Sequence, residues 1–142
     1  MTSSPHTPAA SPLPAHTPVL IAGGGPVGLA TAALLARHGI ASTVIEADAG
    51  FCDGSRAICM SRRSLEILGW IGADRPMLAK GLSWVGGRSY FRDREVLHFE
   101  MPAEPTQRFG PMVNIQQYYA EEFAHDAAIA SGLVDVRWST RV

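Results

Sequence analysis

The sequence predicts an α/β fold built around one parallel βαβ unit, and three observations predict it. An apolar run, Val19-Leu20-Ile21-Ala22, leads into a glycine turn, Gly23-Gly24-Gly25-Pro26-Val27-Gly28. A stretch of small and apolar residues then runs at helical length to His38, followed by Gly39. A second apolar run, Ser42-Thr43-Val44-Ile45, ends on a single acid, Glu46. Glycine clusters also make ordinary surface turns, but here strand, turn, helix, second strand and acid all agree.

Each residue type in this unit has a physical role. Gly23 lets the chain leave the strand in a tight turn. Gly25 allows bare backbone to approach a pyrophosphate, and Gly28 removes a side chain where helix and strand pack closely. An anion is favoured at this helix start by unpaired N–H groups, those of Val27 and Gly28 among them, and by the positive end of the helix dipole. Pro26 suits the first helical turn because the N–H it lacks would be unpaired there. Arg37, His38 and Gly39 punctuate the other end. Glu46 comes about 20 residues after the first glycine, where an acid meets a ribose hydroxyl pair. The expected architecture is therefore Rossmann-like and dinucleotide-binding, and the motif alone does not choose between FAD and NAD.

The remaining elements follow in order. Residues 47–57 contain Gly50, Asp53-Gly54 and Ser55 and read as a loop. Ser61 can cap a helix carrying Leu65, Ile67 and Leu68, with Gly69 as its stop. A shorter helix is expected from Arg75 to Lys80, with Asp74 as cap, Pro76 in the first turn and Gly81 as the end. Ser83 to Val85, Arg88 to Phe91 and Val96 to Phe99 read as short strands, and Arg92-Asp93-Arg94-Glu95 as a charged hairpin connection. Met101 to Pro111, with three prolines and a glycine, should be irregular. A helix is expected from Gln116 or Gln117 to Ser131, with Tyr119, Phe123, Ala127 and Ala130 able to share one face and Gly132 as the stop. Val134, Val136 and Trp138 then alternate with polar residues as a final strand. A doubly wound sheet normally needs further crossover units, so an incomplete C-terminal side is expected.

Composition narrows the function. At 142 residues and 46% hydrophobic content, the chain is about one domain. A net charge of −1 offers no case for nucleic acid or an anionic membrane as partner. No apolar run reaches the roughly 18 residues of a membrane span. Residues 1–17 are rich in Pro, Ser, Thr and Ala, contain no Asp, Glu, Lys or Arg, and read as a disordered tail preceding a domain over 18–142. That tail lacks the features of a secretory or organellar signal, so a cytoplasmic protein is expected. Cys52 and Cys59 match neither zinc spacing nor a CxxC redox pair and read as thiols without a metal or redox role. His98 and His125 have no partner at ligand spacing. No catalytic residue and no metal ligand is assigned.

Several motifs taken together resemble a known family. These are Gly23-Gly24-Gly25-Pro26-Val27-Gly28-Leu29-Ala30, Glu46, Ser55-Arg56-Ala57 leading into Ser61-Arg62-Arg63-Ser64-Leu65-Glu66-Ile67-Leu68, and Gln117 with Glu121 four positions later. In order and spacing they resemble the class A flavoprotein monooxygenases of the p-hydroxybenzoate hydroxylase fold, in the phenol and 3-(3-hydroxyphenyl)propionate hydroxylase branch. The resemblance covers residues 18–142. It implies that the βαβ unit holds the ADP half of FAD, with Glu46 on the adenosine ribose and the backbone of Gly25 to Gly28 around the pyrophosphate. Arg56 matches an arginine placed over the pyrophosphate and near the flavin, where a guanidinium offsets charge and donates several hydrogen bonds. Gln117 matches a helix-start glutamine that contacts the cofactor, with Gln116 as the one-residue alternative. From the residues alone, Arg56 also reads as a solvated loop arginine and Gln117 as a helix-start residue bonding its own backbone. Arg62 and Arg63 read as a solvated helix face.

The implied activity is hydroxylation of an aromatic, phenolic substrate with O2, using FAD as bound cofactor and NAD(P)H as reductant. Two family motifs are missing: an Asp-Gly pair with a following arginine well beyond the first unit, and a Gly-Asp pair for the ribityl chain. Asp53-Gly54 stands too early and reads as a turn. A catalytically silent FAD- or nucleotide-binding fragment, or another Rossmann oxidoreductase, therefore stands as the alternative. Little hydroxylase activity is expected of the 142 residues alone.

Overall fold

The computed structural model describes residues 16–54 and 59–142. The expectation of a disordered tail falls mostly outside them, and so does Arg56. Thr17, assigned to the tail by composition, is described: its hydroxyl donates to the Val19 carbonyl and accepts from the Thr43 hydroxyl.

The βαβ unit forms as the residue pattern predicts. Strand β1 (Leu20–Ala22), helix α1 (Pro26–Arg37) and strand β2 (Ser42–Ile45) follow in order. Leu20, Ile21 and Ala22 lie opposite Thr43, Val44 and Ile45 in parallel register. Gly39 has φ +74, the left-handed backbone expected just past a helix end. On the other edge of β2 lies β8 (Val134–Arg137), also parallel, so the sheet order is β1-β2-β8 and all four residues of β2 are buried. Helix α4 (Gln117–Ile129) packs along α1 and leads into β8.

The buried face of α4 differs from the expected one. Ala120, Glu121, Ala124 and Ala128 are buried, whereas Tyr119, Phe123 and Ala127 are half-buried and Ala130 is exposed. Helix α4 packs along α1, whose own buried residues are Leu29, Ala32, Ala33 and Ala36, and small side chains on both helices allow a close approach. Tyr119 and Phe123 instead flank a neighbouring core of Leu65, Leu68, Met77, Phe109, Val113 and Ile115.

That core lies under a second, antiparallel sheet of which local pattern revealed one strand, expected over Ser83 to Val85 and found one residue earlier. Strands β3 (Cys59–Ser61) and β4 (Leu82–Trp84) both pair with β7 (Met112–Asn114), in the order β3-β7-β4. Ser61 caps α2 (Arg62–Trp70) as expected, its Oγ accepting from the Ser64 N–H at 3.3 Å. Gly69 does not end α2; it lies inside it, facing Asp74 and Phe109, and the reversal falls at Gly72 with φ +81. Asp74 is the first residue of α3 (Asp74–Lys80) rather than its cap, and its buried carboxylate pairs with Arg108. Arg62 is not merely a solvated helix residue. Its guanidinium donates to the carbonyls of Phe109 and Pro102 at 3.0 and 2.8 Å, which fixes the irregular connection 101–111. Arg63 pairs with Glu66 in solvent.

Strands β5 (Gly86–Phe91) and β6 (Arg94–Glu100) form the hairpin insertion. Its turn is only Arg92-Asp93, with Arg92 at φ +56, so Arg94 and Glu95 belong to the strand.

Candidate functional site

Because β1, β2 and β8 are parallel, their carboxyl ends share one edge of the sheet. The starts of α1 and α4 lie toward that same edge, since each helix runs back against the strands it joins. Open α/β sheets bind ligands at this edge.

The turn after β1 is fixed by backbone sterics. Gly23 has φ +107, a conformation that a side chain resists, and its N–H donates to the Ile45 carbonyl at 2.8 Å. A Cβ on Gly28 would stand 2.0 Å from the Gly23 carbonyl oxygen and 3.4 Å from Ile21 Cγ2. No side chain fits there. Gly25 is different: a Cβ at that position meets nothing within 4 Å among the described residues. It is the N-cap of α1, Pro26 occupies the first helical position, and no described side chain caps the helix. The N–H groups of the first turn are thus left for a ligand. Val27 stands 80% exposed beside them, at an apolar cavity of about 430 Å³ lined by Pro26, Met60, Ile67, Leu68 and Met77.

Glu46 closes the site from β2. Its Oε2 accepts from the Gly24 N–H at 2.7 Å and its Oε1 from the Asp48 N–H at 3.0 Å. These bonds, with that of Asp48 the stronger influence and that of Gly24 next, hold the carboxyl below its ordinary pKa against an opposing effect of burial. Each oxygen keeps acceptor capacity for a hydroxyl. The backbone of Glu46 is tied down as well, its N–H to the Arg137 carbonyl and its carbonyl to the Thr140 N–H, at 2.8 and 2.7 Å.

Gln117 begins α4, and its Nε2 donates to Glu121 Oε1 at 2.8 Å. Gln116, the alternative, is the exposed N-cap and makes no capping bond from its side chain. Glu121 Oε2 accepts from the Cys52 N–H at 2.7 Å, which joins the loop after Glu46 to α4. The structure thus gathers Gly23, Gly25, Pro26, Val27, Gly28, Glu46 and Gln117 at one sheet edge, and Arg56 lies outside the described residues.

Two contributors were not singled out by sequence reasoning. A Cβ on Gly24 would stand 3.0 Å from Glu46 Cβ and 3.3 Å from the Trp138 ring, so the middle glycine of the run admits the acid beside the turn. The run of three consecutive glycines was the available signal. Trp138 meets Phe51 edge-on, with ring centroids 5.3 Å apart, and no local pattern pairs those positions.

An open space at Gly25, uncapped N–H groups and a carboxylate with spare acceptor sites suit a phosphate-bearing nucleotide. Comparison with known proteins specifies which. Over 72 residues the chain is 37% identical to tetracenomycin A2 monooxygenase-dioxygenase of Streptomyces glaucescens, covering 51% of this chain and 13% of that protein. It is 35% identical over 82 residues to 6-methylpretetramide 4-monooxygenase of Streptomyces rimosus, covering 58% of this chain and 15% of that protein. The chain thus aligns with less than a fifth of either relative. In fold it is similar to the flavin-dependent monooxygenase PieE, solved with FAD and substrate, with a TM-score of 0.72 and 24% identity over 87% of this chain and 24% of that one. Residues 16–142 match the model of the FAD binding domain, and the chain belongs to that family.

Proposed function

We propose that this chain is the FAD-binding portion of an NAD(P)H-dependent flavoprotein monooxygenase that hydroxylates an aromatic, phenolic substrate with O2 in the cytoplasm. The observation that carries the reading is the junction of Gly23, Gly28 and Glu46. The turn is closed to side chains at Gly28 and open at Gly25, and it ends beside a carboxylate whose oxygens can still accept. In this reading the backbone of Gly25 to Gly28, with Pro26 and Val27, holds the pyrophosphate at the start of α1. Glu46 accepts from the adenosine ribose hydroxyls, and Arg56 and Gln117 complete the contacts. FAD, when bound, supplies the redox chemistry between the nicotinamide and O2. The protein orients the cofactor and excludes water.

Titration of FAD into the purified chain, followed by flavin fluorescence, tests the cofactor site. Saturable binding that Glu46→Arg weakens is expected, because the substitution removes ribose acceptors at a cost of about 1 to 3 kcal/mol. Absence of binding by the wild-type chain, or an unchanged affinity in the variant, would overturn the assignment. The reaction is tested by adding NADH or NADPH, O2 and a panel of phenols to FAD-loaded protein and analysing the products. A hydroxylated phenol supports the monooxygenase. Stoichiometric FAD without any hydroxylation supports the second reading, a silent FAD-binding unit, which the small share of its relatives spanned by this chain favours for the 142 residues alone.

A further inference from the structure

Glu121 is a carboxylate 2% exposed, far along the sequence from the glycine turn, and the proposed chemistry gives it no role. A buried carboxylate is tolerated only when hydrogen bonds replace its water. Two described donors meet it, one on each oxygen. The Cys52 N–H lies 2.7 Å from Oε2, and Gln117 Nε2 lies 2.8 Å from Oε1. The first bond spans 69 positions of the chain and fastens the loop after Glu46; the second joins neighbours one helical turn apart.

We propose that Glu121 is a positioning residue that sets the polarity of Gln117 and, through Cys52, the place of the loop beside it. A carboxylate can only accept, so the Gln117 amide must turn its nitrogen inward. Its carbonyl oxygen is then the group turned away from Glu121. Gln117 therefore presents its carbonyl oxygen, an acceptor suited to a hydroxyl of the bound cofactor, and keeps only the second N–H of its amide as a donor. This inference rests on the FAD-binding reading and adds to it the atom through which Gln117 acts.

Glu121→Gln breaks the arrangement without changing its size. The new amide has one accepting oxygen for two donors. If that oxygen keeps the Cys52 N–H, the new NH2 faces Gln117, which must rotate and present its own NH2 outward. FAD affinity should fall about tenfold, the order of one lost hydrogen bond. Gln117→Glu sets two carboxylates together and should also weaken binding. The double variant Gln117→Glu/Glu121→Gln reinstates the pattern reversed: residue 121 accepts from Cys52 and donates to residue 117, which again offers an oxygen. Its affinity should return to within about threefold of wild type, a coupling that a double-mutant cycle isolates.

A second readout needs no flavin. In 15N NMR spectra of the wild-type chain, one proton of the Gln117 side-chain amide should be protected from exchange, and Glu121→Gln should abolish that protection. An unprotected Gln117 amide in the wild type, unchanged FAD affinity in Glu121→Gln, or a double variant no better than either single one would overturn the proposal. Failure of the wild-type chain to bind FAD would instead count against the cofactor assignment, and the amide measurement would still decide whether Glu121 orients Gln117.

Discussion

Strand β2, which ends beside the glycine turn, and strand β6 of the β5–β6 hairpin are both short, yet they sit in opposite surroundings. All four residues of β2 are buried, whereas all seven of β6 are exposed, Val96, Leu97 and Phe99 among them. Along β2 a substitution meets backbone or a neighbouring side chain. Along β6 it meets mostly water. Side-chain hydrophobicity does not separate the two; what separates them is whether another element lies against the strand.

The sharpest way to break this comparison is at Gly28. Gly28→Val must displace the Gly23 carbonyl, since even a Cβ would lie 2.0 Å from its oxygen. We expect a loss of about 3 kcal/mol in urea unfolding, together with loss of FAD binding. Gly25→Val lies three residues away but has open space around it. It should abolish FAD binding while changing stability by no more than about 1 kcal/mol, the scale of an altered N-cap. Equal destabilisation by the two variants would show that Gly25 belongs to the packing and not to the ligand site.

Glu46→Gln tests a smaller effect within the same region. The two N–H bonds depress the pKa of Glu46 below 4.5, so the folded state binds its proton less readily than the unfolded chain does. Its contribution is therefore complete above the ordinary pKa and disappears as pH falls through the lowered value. At pH 7 the variant should be less stable by about 1 kcal/mol, and the gap should close under acid conditions. A gap that persists or widens in acid would remove the carboxylate as its source. In the hairpin, Phe91 is 63% exposed, and Phe91→Ser should shift unfolding by at most about 0.5 kcal/mol. A larger loss would mean that this hairpin is packed against something in solution.

Legibility in the sequence follows the same division. β1, α1 and β2 could be read because their signals are local: an apolar run, a glycine turn, a proline at the helix start and an acid at the strand end. β3 and β7 could not, because three residues carry no usable period, and Cys59-Met60-Ser61 and Met112-Val113-Asn114 become strands only by pairing with each other. The face of α4 differs because its aromatic residues suggested the core, whereas the helix buries Ala120, Glu121, Ala124 and Ala128, and its partner α1 is itself rich in buried alanine. Asp74 read as a cap since no local pattern connects it to Arg108, 34 positions away.

The amino-acid sequence by itself determined the turn and its chemistry. Only glycine accepts the backbone of Gly23 and the space at Gly28, and only an acid at position 46 offers two accepting oxygens and no donor at the end of β2. Tertiary structure alone decided that Gly24 donates to that acid, that Glu121 reaches Cys52 across 69 positions, and that Gln117 turns its nitrogen inward. The physical reason is range: backbone sterics act within a few residues and are written in residue type. A hydrogen bond between distant segments exists only after the fold has brought donor and acceptor together.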